Sequence, residues 1–204
     1  MAAGRRPYLS GNRLDRIHLL FQAVDMSLSI AAVPLSSETA ETSAPDPTIV
    51  DAAAVCRGIA RLFARNDIWC LPEMPLRNSR RADLMGLDAK GRIVIVEVKV
   101  AKADLLGDNK WPDYLDFCDR FYWGLSPALD RAIVDGEAYL PDRCGVIVGD
   151  GYDAEIVRPA CSHPLAPARR KKEVERMARH AMRRLTCGAD ENCTEFLSGG
   201  RSVL

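Results

Sequence analysis

Asp83-Leu84-Met85-Gly86-Leu87-Asp88-Ala89-Lys90-Gly91-Arg92-Ile93-Val94-Ile95-Val96-Glu97-Val98-Lys99-Val100 is the stretch that decides the fold. Its second half is β-branched and bounded by a turn, which predicts a strand covered on both faces. Side chains alternate along a strand, so Glu97 and Lys99 emerge on one face and Val96, Val98 and Val100 on the other. Burying a carboxylate and an ammonium is costly unless they are paired or bound to an ion. A strand that keeps both is a candidate for chemistry.

The turn sets the register. Ala89-Lys90-Gly91 fits a three-residue hairpin loop, with glycine at the left-handed position. Asp88 then faces Arg92, and counting back sets Asp83 opposite Glu97. Carboxylates facing each other across a sheet repel. A divalent cation between them turns that repulsion into a ligand set. Asp83, Glu97 and the Val98 carbonyl are hard oxygen donors, which suit Mg²⁺ or Mn²⁺ better than Zn²⁺. Lys99, on the same face, can orient or deprotonate a water or neutralise a phosphate. The plainer reading is a Glu–Lys pair at a strand end with Asp83 solvated.

Asp83, a hairpin and Glu97-Val98-Lys99 resemble the PD-(D/E)xK nuclease signature. The flanking blocks are Glu73-Met74-Pro75-Leu76, Arg80-Arg81-Ala82-Asp83, Lys110-Trp111-Pro112-Asp113-Tyr114, Cys118-Asp119-Arg120-Phe121 and Leu165-Ala166-Pro167-Ala168-Arg169-Arg170. With them the chain resembles the MmcB family of DNA-repair proteins, over roughly residues 48–185. The resemblance implies an α/β, restriction-endonuclease-like core: a mixed central sheet flanked by helices, with a basic C-terminal helix. It also implies a bacterial, metal-dependent nuclease of DNA repair. DNA and other repair proteins would be its partners. Ala82 stands where the superfamily often has proline, which removes rigidity but no chemical group.

Composition agrees with a globular protein. Of 204 residues, 48% are hydrophobic and 27% charged, with a formal net charge of +0. A neutral chain does not coat nucleic acid indiscriminately, so DNA contact requires a local basic face. Seven scattered cysteines without a CxxC pair predict reduced thiols in a cytoplasmic protein, associated with the nucleoid when acting on DNA. No apolar run approaches a membrane span. No GxxxxGK[ST] or GxGxxG motif is present, which disfavours a nucleotide-binding phosphotransferase.

Residues 1–47 read as an extension with a Ser/Thr/Ala/Glu/Pro-rich linker, 48–186 as the nuclease-like domain and 187–204 as a tail. Met26 is a second possible start. Thr48-Ile49-Val50-Asp51 resembles a capping box ahead of a helix. Strands are expected at 68–71, on either side of the hairpin, at 121–125, at 144–148 and at 154–157. Helices are expected at 113–119, 127–134 (capped by Ser126) and 168–185, the last with an apolar stripe of Val174, Met177, Ala178, Ala181, Met182 and Leu185.

The catalytic candidates are Asp83, Glu97 and Lys99, with Asp83 and Glu97 as the metal ligands. The DNA-binding candidates are Lys110, Arg81, Arg169 and Arg170. The last two begin the one strongly basic stretch of the chain, which is either a phosphate-holding face or a solvated helix face. Glu73, Trp111, Asp113 and Tyr114 are auxiliary candidates. An indole at position 111 is more often a packing residue than a stacking platform. Asp104 and Asp108 either assist a second metal or are simply solvated. The function expected is metal-dependent phosphodiester hydrolysis of DNA, the alternative a DNA-structure-binding or scaffolding protein that does not cut.

Overall fold

Asp51 starts the first helix of the computed structural model, which describes residues 50–189. Its carboxylate accepts the Ala54 N–H at 2.6 Å, as an N-cap residue does, and opens α1 (Ala52–Arg65). The cap expected at Thr48 lies outside the described residues, and Asp51 takes that role itself. Val55, Ile59 and Phe63 are buried on the inner face of α1. Each contributes about 1.5–3 kcal/mol by leaving water. Gly58 permits the close approach: a Cβ there would lie 2.3 Å from the Asp150 carbonyl oxygen.

Six strands follow: β1 (Ile68–Pro75), β2 (Arg81–Asp88), β3 (Ile93–Lys99), β4 (Arg120–Leu125), β5 (Gly145–Gly149) and β6 (Ala154–Arg158). They form one mixed sheet in sequence order. β1–β2, β2–β3 and β5–β6 are antiparallel, while β3–β4 and β4–β5 are parallel. Pro72 and Pro75 fall on edge strand β1, where a missing N–H costs least. The hairpin is as expected, with Asp88 N–H donating to the Arg92 carbonyl at 3.0 Å and Gly91 left-handed at φ 72.

α1 covers one face over Leu84, Val94, Val96, Val98, Tyr122 and Ile147. The other face carries a second core of Met85, Ile93, Ile95, Phe121 and Trp123. Its cover comes from the β3–β4 crossover, α2 (Lys102–Gly107) with a 3₁₀ turn (Trp111–Tyr114), and from α3 (Pro167–Ala189). All seven residues of β3 are buried, so the strand is covered on both faces.

Four helical expectations are corrected. α2 was not anticipated. The helix expected at 113–119 is only the turn at Trp111–Tyr114. The chain must straighten by Asp119, whose backbone N–H donates to the Ile93 carbonyl at 2.8 Å while its Oδ2 accepts the Ile93 N–H at 2.7 Å. The helix expected at 127–134 becomes 3₁₀ turns at Arg131–Asp135 and Glu137–Tyr139. Asp130 caps the first of them, whereas Ser126 Oγ makes only a long contact, 3.4 Å, to the Ala128 N–H.

The fourth correction concerns α3, which runs beyond 185 and whose apolar stripe packs only in part. Met177 is buried, but Met182 and Leu185 are 63% and 73% exposed. Glu173 is buried instead and is neutralised by Arg176, which also donates to the Pro75 carbonyl. The apolar side chains of the first half dock on the sheet edge, and the second half is tied to it through Arg184, which donates to the Glu73 carbonyl.

Candidate active site

The β2–β3 ladder pairs Leu84 with Val96 and Leu87 with Ile93, so one further step sets Asp83 against Glu97. The β1–β2 ladder, counted the same way, sets Glu73 against Asp83. Here the backbone departs from regular sheet. Glu73 has φ 51, uncommon for a non-glycine residue, and the Val98 N–H donates to Asp83 Oδ2 at 2.7 Å. A side chain closes this end of the hairpin.

Glu97 and Lys99 share a face and are almost wholly buried. Lys99 Nζ lies 2.8 Å from Asp108 Oδ2, 3.3 Å from Glu97 Oε1 and 3.6 Å from Asp104 Oδ2. Burial opposes the charge on Lys99, but the bond to Asp108 and the charges of Glu97, Asp108 and Asp104 outweigh it. Its ammonium is held above the ordinary lysine range.

The acids are pushed the other way. Burial, and next the Asp83 carboxylate, raise Glu97 to about 8 against the help of Lys99. Burial also raises Asp83, more than the Val98 N–H and Lys99 lower it. Tyr114 lies beside both acids. Its hydroxyl donates to the Arg81 carbonyl at 3.1 Å, and burial and then Glu97 and Asp83 hold it well above the tyrosine range. Glu97 Oε2 is buried with no hydrogen-bond partner, as among the described residues are only Arg120 Nε and Trp123 Nε1.

The donor set can be tested against a cation. Among the described residues no group of three or more His, Cys, Asp and Glu side chains is placed to hold a metal ion. Strand register brings two carboxylates, Asp83 and Glu97, to the same end of the ribbon. That is too few for a structural zinc site. It fits Mg²⁺, which keeps several waters and is held by one or two carboxylates together with substrate phosphates. The partnerless Glu97 Oε2 and the elevated carboxyls are what a cation would relieve.

The other expected residues divide. Arg81 and Glu73 form an ion pair at the margin of the acid pair. Trp111 is a core residue, 4% exposed, packed edge-on to Trp123 with ring centroids 5.1 Å apart, so it offers no stacking surface. Asp113 is paired with Arg80 at 2.9 Å. Lys110 is exposed beside Asp108, whose Oδ1 accepts its backbone N–H at 3.0 Å. Arg169 is tied to Asp116 through a 3.0 Å bond to its carbonyl and sits over the Phe117 ring. Arg170 departs furthest from expectation: its guanidinium is committed to Asp119, a buried carboxylate.

Asp108 is not the solvated acid that its place in the sequence suggests: its side chain is 14% exposed and grips Lys99. The signal was available, since a buried ammonium needs more than one carboxylate to satisfy three donors. The buried thiols behave as small hydrophobes. Burial pushes Cys70 and Cys144 up to about 11.

A family model described as DNA repair protein MmcB-like matches residues 41–192. Among solved structures, the SPO1766 protein of unknown function from Silicibacter pomeroyi is similar, at 36% sequence identity and a TM-score of 0.62. The similarity covers 75% of this chain and 97% of that one. No curated protein matches the chain.

Proposed function

Because the chain belongs to the MmcB-like DNA repair protein family, we propose that it is a metal-dependent nuclease acting on DNA in repair, a PD-(D/E)xK domain of restriction-endonuclease-like type. The observation that carries this reading is the pair of elevated carboxyls, Asp83 and Glu97, converging across a buried ribbon where Glu97 Oε2 has no partner. Lys99 and the Val98 N–H offset only part of the cost of keeping two such acids together, and a bound cation would offset the rest.

Asp83 and Glu97 would hold Mg²⁺ or Mn²⁺. When bound, the cation would polarise the scissile phosphate and stabilise the leaving oxygen. Lys99 acts as an ammonium, because the bond to Asp108 keeps it protonated. It therefore donates to the attacking water or to a phosphate oxygen and fixes its position, and it is a poor proton acceptor. Asp108 fixes Lys99 in turn. Lys110, exposed at the margin, would contact phosphate, whereas Arg81 is held by Glu73.

Plasmid and single-stranded DNA incubated with the purified protein and Mg²⁺ or Mn²⁺ test the reading. The parent cuts, and Asp83→Asn, Glu97→Gln and Lys99→Ala each lose on the order of 10²-fold or more in rate. Variants that cut as well as the parent would refute the assignment. A second reading draws on the same cluster: Lys99 with three acid neighbours can stand as a self-contained ion network. The protein would then bind DNA without cutting, indifferent to divalent ions.

A further inference from the structure

Many arginines of the described chain are held by carboxylates. Arg65, Arg80, Arg81, Arg92, Arg120, Arg158, Arg169, Arg170 and Arg176 all have carboxylate partners. Against that background one groove stands out. It has a volume of about 660 Å³, is open to solvent and runs between α3 and the β1–β2 connection. Arg77, Lys172, Arg179 and Arg183 line it, and none of the four has an ion-pair partner among the described residues. Glu175 is the one acid in the lining, and it is drawn toward Lys171.

We propose that this groove is a binding track for the phosphodiester backbone of duplex DNA, feeding the strand toward Asp83 and Glu97. The inference rests on the DNA reading of the acid site and names the surface that would hold its substrate. Three observations carry it. Lys172, Arg179 and Arg183 recur at i, i+7 and i+11, so they fall on one side of the helix over about 16 Å. Such a span matches roughly four to five phosphates of one strand at ~3.4 Å of axis each.

The groove is also fixed to the acid site. Arg176 donates to the Pro75 carbonyl and Arg184 to the Glu73 carbonyl, the latter at 3.1 Å. Glu73 stands opposite Asp83 by register and pairs with Arg81. The helix is thereby clamped to the strand end that presents the acids.

Finally, the lining contains no Trp, Tyr or Phe. It offers charge without a stacking platform, which suits a continuous backbone and gives no base readout. His180 in the lining is kept below its usual range by partial burial and by Arg184, Arg183 and Arg176. Of these, Arg183 lines the groove without an ion-pair partner among the described residues. Arg169 and Arg170, the residues that sequence favoured, are occupied elsewhere, so the phosphate-binding stretch of the helix begins after them, at Lys172.

The test measures binding of a fluorescein-labelled duplex to the full chain by anisotropy, across salt concentrations and in EDTA, so that no cutting intervenes. The parent binds with a steep salt dependence. Replacing Arg77, Lys172, Arg179 and Arg183 together by Gln weakens binding at least tenfold and flattens the log–log salt slope by about 3–4. Lys90→Gln, an exposed control in the hairpin loop, changes neither. All five single variants are checked by circular dichroism, and each single groove variant lowers the slope by about 1. A quadruple variant that binds within twofold of the parent at unchanged slope overturns the proposal. So does a parent that binds anionic phospholipid vesicles but not the duplex. Groove-dependent binding here, together with no cleavage when Mg²⁺ or Mn²⁺ is supplied, upholds the track and refutes only the nuclease reading.

Discussion

Two aspartates on β2, five residues apart, are pushed in opposite directions by their surroundings. Asp88, at the hairpin end, accepts the Lys90 and Arg92 N–H groups, both at 2.9 Å, and the guanidiniums of Arg92 and Arg120, both at 2.7 Å. Despite the cost of its burial, the Arg92 bonds and the Lys90 N–H hold it below the ordinary carboxylate range. Asp119, close by, is satisfied by the N–H groups of Ile93 and Leu165 and by Arg170, and is lowered likewise. Asp83, at the other end of the strand, has one N–H and a facing glutamate, and is raised. Burial alone does not separate structural from chemical acids. What separates them is whether the fold supplies enough donors. One end of the ribbon is a closed ion cluster and the other is left short by design of the register.

The largest effect that could break this contrast is at the closed end. Asp119→Ala leaves Arg170 and two buried N–H groups without an acceptor, so urea unfolding shows a loss of about 3–5 kcal/mol. A loss under 1 kcal/mol would mean that the closed end is not structural.

At the open end the sign reverses. Glu97 takes up its proton at about 8 when folded against 4.5 ordinarily, so between those values the folded chain holds more protons than the unfolded one. Without divalent ions, the contribution of Glu97 to stability is therefore fully present below about pH 4.5 and is lost as pH rises through 8. Glu97→Gln removes that decline and is more stable than the parent at pH 8.5, by on the order of several kcal/mol. Asp88 and Asp119, being lowered, contribute the opposite trend, present above their ordinary range and lost in stronger acid. Unfolding free energies across pH for the parent and Glu97→Gln check both limbs.

The smallest effect sharpens the comparison from outside. Arg80–Asp113 has good geometry, 2.9 Å, but is half exposed, so Arg80→Ala costs less than about 1 kcal/mol by the same measurement. A cost equal to that at Asp119 would remove the distinction between buried and surface pairs.

The hairpin was legible because glycine at 91 and the alternation of β3 allow one register, and the register fixes which side chains meet. The facing of Asp83 and Glu97 with Lys99 alongside follows from that alone. The clamps were not legible. Asp119 reaches Arg170 across 51 residues, and Glu173 reads as a solvated helix charge until α3 is docked. Local pattern likewise missed α2, a six-residue helix too short for periodicity to register. Its packed residue, Leu105, shows only once the crossover lies on the sheet.

Titration calorimetry with Mn²⁺ near pH 7.5, in buffers of different ionisation heat, tests the central claim most directly. The parent should bind the ion and release a proton from Glu97, which is largely protonated at that pH, and Glu97→Gln should bind at least tenfold more weakly without proton release. Equal binding by parent and variant, or none by the parent, would contradict the account.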